Sequence, residues 1–242
     1  MSTLESVVKS LDIKKPETKF ICKFCNKGFV KETTLAVHMC EQKQRHMDKD
    51  EPGIRLAYRA FTRFYESTQV ATKQRTFTDF AASPYYNAFA KFGRYMVAVN
   101  AINPSQFIEW VLKSGKKIDK WATDRVYEEY LNYYIAHEAV SDALERGISY
   151  AVKWAEENNS QYTDYFRYAG TNKICYAIST GKISPWVLYS CEQGQNFLNS
   201  GLSPEQIGLI WPFINPDHWQ KKLADYKSDW EYAKHILKEA GW

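Results

Sequence analysis

Apolar residues along most of this chain recur at helical spacing. Tyr85, Phe89, Phe92, Met96 and Val99 follow one another at steps of four, three, four and three, which places them on one stripe, because residues three and four apart share a helix face. Val126, Tyr130 and Tyr134 repeat the step of four, and Trp219, Leu223, Tyr226, Trp230, Ala233 and Leu237 carry the pattern on near the end. Alternation of the kind a half-buried strand needs is scarce beyond a short stretch near the N-terminus.

Punctuation agrees with the periodicity. Five prolines follow Ser or Asn, at Ser83-Pro84, Asn103-Pro104, Ser184-Pro185, Ser203-Pro204 and Asn215-Pro216. A side-chain oxygen there caps the orphan amides while proline fills the first helical position, where no donor is missed. Ser203-Pro204-Glu205-Gln206 completes a capping box. The spacing predicts helices over 51–68, 83–101, 104–114, 123–137, 139–157, 172–180, 185–199, 203–210 and 216–240. No fixed-period repeat and no low-complexity stretch interrupts them.

Composition makes this an ordinary globular chain: 242 residues, 45% hydrophobic and 25% charged. Disorder and collagen are excluded. Eight Trp, 17 Tyr and 13 Phe make 16% of the chain aromatic, which suits a densely packed helical core. Apolar runs stay well short of the roughly 20 residues a bilayer span needs, and the opening MSTLESVVKSLD lacks a secretion profile, so a cytoplasmic protein is expected.

The net charge of +4 points to no partner by itself, but its distribution is uneven. Residues 1–50 carry ten basic and seven acidic groups, residues 51–100 seven and three, and the remainder fifteen and eighteen. An electropositive surface is therefore expected within the first hundred residues, where it would suit an anionic partner.

Five cysteines, three of them within nineteen residues, do not form a disulfide framework. Phe20, Cys22, Cys25, Phe29, Leu35 and His38 instead read F-x-C-x2-C-x3-F-x5-L-x2-H, which resembles the two-Cys, two-His zinc finger. Two thiolates on a tight hairpin turn with Gly28 and an imidazole from the next helix supply three tetrahedral ligands. Phe29 and Leu35 fill the small core that the metal nucleates. The cofactor expected is zinc.

The fourth ligand departs from that pattern, because positions 42 to 44 are Gln, Lys and Gln. His46 lies about 80° around a regular helix from His38 but roughly 12 Å along it, whereas Cys40 lies about 200° around. The favoured set is Cys22, Cys25, His38 and His46, with Cys40 as the alternative. Either choice requires the finger helix to kink or end. The fold class expected is mainly α, a small N-terminal ββα zinc finger followed by a multi-helix globular domain. Its divisions are an N-terminal segment 1–19, the finger at 20–50 and an all-helical domain at 51–242, with a seam at Lys49-Asp50-Glu51-Pro52-Gly53.

With a helix opening near Glu32, the positions that would read a DNA groove are Lys31, Thr33, Thr34 and Val37, a weak set in which only Lys31 offers a strong phosphate or guanine contact. Lys43 and Arg45 can grip phosphates without discrimination. Arg55, Arg59 and Arg63, at steps of four, form a row that Lys73, Arg75, Lys91 and Arg94 could extend. The nucleic-acid candidates are thus Lys31, Thr34, Lys43, Arg45, Arg55, Arg59 and Arg63. Against them stands an ordinary solvated, salt-bridged row.

Catalytic signatures are few. His137-Glu138, with Asp142 and Glu145 following, matches no motif, and adjacent helical residues point about 100° apart. Asp142 and Glu145 are expected on a polar face with Arg146, and Cys175 and Cys191 as core thiols. No phosphate-cradling glycine loop or serine elbow occurs, so no catalytic residue is assigned.

The stretches Thr34–Lys43 with Arg45-His46-Met47, Ser83–Phe89 with Lys91-Phe92-Gly93, and Gly181–Trp186 resemble an uncharacterised zinc-finger protein family of T-even-like tailed bacteriophages and cyanophages. The resemblance implies a viral origin and a host-cytoplasm setting, but no mechanism. Three readings follow. One is a non-enzymatic phage accessory protein that binds DNA or RNA through the finger and basic helices and docks a protein of replication, transcription or packaging. The second is a purely protein-binding adaptor with a structural finger. The third is a metal-dependent nuclease.

Overall fold

The computed structural model describes residues 19–68 and 74–242. It is mainly α-helical, with one two-stranded sheet near the N-terminus. The contacts divide the chain into two compact units, one ending at Ala101 and the other spanning Ile102–Trp242.

In the first unit, strands β1 (Phe20–Ile21) and β2 (Gly28–Phe29) pair antiparallel, Phe20 opposite Phe29 and Ile21 opposite Gly28. The turn between them closes through Asn26 N–H to Cys22 O at 2.8 Å and Cys22 N–H to Lys27 O at 2.9 Å. Asn26, at φ 56°, takes the left-handed residue of this turn, a conformation its short polar side chain tolerates. Helices α1 (Glu32–Ala36) and α2 (Glu41–Met47) follow. The chain then enters α3 (Pro52–Thr68), α4 (Phe77–Ala82) and α5 (Tyr86–Ala98).

Helices α3 and α5 cross where both lack a side chain. A Cβ on Gly93 would lie 2.0 Å from the Gly53 carbonyl and 2.6 Å from the Ala57 amide, and one on Gly53 would lie 2.8 Å from Arg94. Ile54, Ala57, Phe61, Phe80, Phe89, Phe92 and Met96 are buried around this crossing. Glu51 locks its end, accepting from Arg94 Nε at 2.8 Å and Nη2 at 2.7 Å.

The second unit runs through α6 (Pro104–Lys113), α7 (Asp124–His137), α8 (Val140–Asn158), α9 (Tyr165–Tyr168), α10 (Thr171–Ser179), α11 (Pro185–Ser190), α12 (Glu192–Leu198), α13 (Pro204–Ile214), α14 (Pro216–Asp225) and α15 (Lys227–Glu239). Asn103, Ser184, Ser203 and Asn215 cap helices as their sequence contexts predict, and Ser203 with Gln206 forms the capping box. Trp121, Tyr130, Tyr165, Trp186 and Trp219 fill the interior. Cys175 and Cys191 are buried there as free thiols, and burial pushes the Cys191 thiol up to about 11.

Several boundaries differ from the periodicity. The 83–101 segment begins its helix only at Tyr86, because Ser83 Oγ accepts from Tyr85 N–H in a turn. A capping box of Thr76 and Asp79 starts the unforeseen α4. The 185–199 segment breaks at Cys191, which is extended and whose Sγ accepts from Gly194 N–H at 3.4 Å. The 216–240 segment breaks at Tyr226, at φ −114° and ψ 51°. Arg146 bonds neither Asp142 nor Glu145, both exposed, but Glu138 at 2.5 Å. The Glu138 carboxylate is wholly buried and also accepts from Ser184 Oγ at 2.6 Å.

Gly93→Ala should destabilise the protein by at least about 2 kcal/mol, because the opposing backbone has to move, as read by denaturant unfolding followed by circular dichroism. Glu138→Ala should cost roughly 3 kcal/mol by leaving a largely buried guanidinium unpaired. Wild-type unfolding midpoints in either variant contradict the corresponding packing.

Candidate metal centre

The hairpin and the two short helices bring four ligating side chains together. The Sγ atoms of Cys22, Cys25 and Cys40 and a ring nitrogen of His38 all lie within 4.8 Å of one another. Cys22 Sγ and Cys40 Sγ are 4.0 Å apart, and Cys25 Sγ and His38 Nε2 are 3.3 Å apart. Tetrahedral coordination with metal–sulfur bonds near 2.3 Å and metal–nitrogen bonds near 2.0 Å separates ligand atoms by about 3.5–3.8 Å. The four atoms therefore fit round one metal ion without rearrangement of the backbone.

Each ligand has its own local cause. The turn places Cys22 and Cys25 side by side, and the amides of Cys25 and Phe24 hold the Cys22 thiol below its ordinary pKa. The Lys27 amide pulls Cys25 the same way, but burial and the neighbouring Cys40 and Cys22 sulfurs leave it raised. Crowded thiolates repel one another unless a cation sits among them. His38 packs against Phe29, ring centroids 4.7 Å apart.

The finger helix ends, as both choices of fourth ligand require. It stops at Ala36, Val37 caps it, and the chain is extended again at Cys40, at φ −108° and ψ 161°. Cys40 Sγ then accepts from Lys43 N–H at 3.4 Å as the N-cap of α2. Lys43 Nζ donates to His38 O at 3.1 Å across the break. This change of direction swings Cys40 to the other three ligands.

His46 is placed apart from them. Its ring lies between Phe24 and Phe77, at centroid distances of 5.0 and 5.5 Å, and its Nδ1 lies 2.8 Å from Gln42 O. The physical reason is α2 itself, a continuous helix from Glu41 that carries His46 toward α4. Arg45 is drawn the same way. Its guanidinium sits 4.2 Å from the Tyr86 ring, donates to Ala81 O at 2.7 Å and pairs with Glu41. Aromatic contacts thus run from Phe24 in the finger through His46 and Phe77 to Tyr58 and Phe80.

The remaining candidates divide by exposure. Lys31 is exposed as the N-cap of α1 and Thr34 on α1 itself, and Arg55, Arg59 and Arg63 are exposed along α3. Arg55 pairs with Asp50 at 3.3 Å and Arg63 with Glu66 at 2.7 Å. Arg75 lies over the Tyr65 ring and Arg94 is held by Glu51, while Lys73 lies outside the described residues. Lys19, Lys23 and Lys27 are exposed on the hairpin and were not singled out by the groove-reading pattern. Their spacing of four continues to Lys31, and that was the available signal.

Comparison with family profiles, curated proteins and solved structures gives no match to the chain, so the site stands on its geometry. Among the described residues no helix is long and apolar enough to cross a membrane.

The full chain should bind one divalent ion, and cobalt substitution should give thiolate charge-transfer absorption. Cys40→Ala should weaken metal binding at least about a hundredfold, while His46→Ala should leave the stoichiometry unchanged. The opposite ranking in a competitive chelator titration would return His46 to the ligand set.

Proposed function

We propose that this protein is a non-enzymatic nucleic-acid-binding protein whose N-terminal unit is organised by a structural zinc ion. The carrying observation is the Cys22, Cys25, His38 and Cys40 cluster, since three sulfurs and one imidazole in a closed tetrahedral set are what structural zinc sites use. Zinc fixes the hairpin that presents Lys19, Lys23, Lys27 and Lys31. Together with Thr34, Arg55, Arg59 and Arg63 they supply phosphate contacts on an exposed surface.

Binding of this kind is independent of sequence. Helix α1 has only five residues and its exposed positions are weak base readers, while Lys43 and Arg45 are engaged inside the unit. The helical remainder docks a protein of replication, transcription or packaging. The resemblance to phage zinc-finger proteins sets this activity in an infected bacterial cytoplasm.

A second reading, a protein adaptor with a structural zinc, is favoured by the apolar groups on the finger. Val37 is 81% exposed, and Ile21 and Met47 are each 61% exposed. Affinity capture after nuclease treatment separates the two: an adaptor keeps its partners, whereas nucleic-acid-bridged partners are lost.

The test of the leading reading is binding of a duplex of arbitrary sequence across a salt series. Affinity should fall linearly on a log–log plot, and Arg55→Gln/Arg59→Gln/Arg63→Gln should reduce the slope by up to about 2.7, at roughly 0.9 per phosphate contact. Absence of binding to DNA and RNA at low salt eliminates this reading.

A further inference from the structure

The second unit contains a polar cleft of about 370 Å³ that the reading above does not use. Its floor is formed by Ala136, Glu138, Trp186 and Lys222, at the end of α7, the start of α11 and the middle of α14. Lys222 is fixed in place. Its Nζ donates to Ala136 O at 2.8 Å and lies 4.7 Å from the Trp219 ring centroid and 5.1 Å from that of Trp186. One of its three N–H bonds is used in this way, leaving donors for a further acceptor.

Glu138, the carboxylate of the floor, already accepts from Ser184 and Arg146. Burial pushes the Lys222 pKa down, against the opposing pull of Glu138 and Asp229. Around the floor residues stand His137, His218, Lys221, Asp225 and Asp229. The cleft thus sets the spare donors of Lys222 close to the carboxylates of Asp225 and Asp229. A compact ligand that satisfies both has a carboxylate at one end and an ammonium group close by.

We propose that this cleft binds a free α-amino acid, its carboxylate accepting from Lys222 and His218 and its ammonium group held by Asp225 and Asp229. Each standard amino acid, with acetate as the carboxylate-only probe, can be titrated into the full-length protein by isothermal calorimetry. At least one amino acid should bind with unit stoichiometry, at least about tenfold more tightly than acetate. Lys222→Met keeps the apolar stem over the two indoles and should weaken that binding at least about tenfold. Asp225→Asn/Asp229→Asn should bring amino-acid affinity down to that of acetate while acetate binding persists.

Lack of heat from every amino acid at millimolar concentration overturns the assignment. So does acetate binding as tightly as any amino acid, or a folded Lys222→Met variant with unchanged affinity. Should Lys222→Met fail to fold, the double Asp variant decides alone, since unaltered amino-acid affinity in it equally overturns the proposal.

Discussion

Mutual crowding of three sulfurs and an imidazole within 4.8 Å is the constraint on which the N-terminal unit depends. Thiols bond weakly to one another, and thiolates so close repel, so the arrangement gains its free energy when a cation occupies the centre. The local fold is shaped to deliver it. Asn26 turns the hairpin, α1 stops at Ala36, and the extended residue Cys40 serves both as a ligating group and as the cap of α2. Because that cap begins α2, the ligand cluster also sets where Arg45 and His46 project. The finger is thereby joined to Phe77 and Tyr86 by aromatic and cationic contacts rather than left as a free knob.

That joining decides what the module can do chemically. A finger that reads bases lays one helix along a groove with several side chains pointing outward. Here the corresponding helix is divided, its second half faces the protein, and only a short first half remains exposed. What is left for a partner is charge from the lysines and an apolar rim of Ile21, Val37 and Met47.

The helical class, most helix starts and three of the four clustered ligands were legible in the sequence because each rests on short-range chemistry: apolar spacing, Ser/Asn-Pro caps and the Cys-x2-Cys hairpin. Cys40 was legible only as an alternative. Angular arithmetic on a regular helix disfavoured it, and nothing in the spacing announced that cysteine itself would cap a new helix. The same blindness joined 185–199 into one helix across Cys191, which caps through its sulfur in the same manner. The Arg146–Glu138 pair had no signal in the spacing, because Glu138 is buried against Ser184, a residue distant in sequence. The cleft near Lys222 showed in the sequence only as the His137-Glu138 pair, since its other walls come from separated helices.

The two units also differ in their chromophores. All eight tryptophans lie between Trp110 and Trp242, and the unit ending at Ala101 has none. Indole emission therefore watches one unit alone, while cobalt–thiolate colour watches the other. A single sample carries two independent optical reporters, so loss of the metal-organised fold can be distinguished from melting of the helical body without labels or truncation.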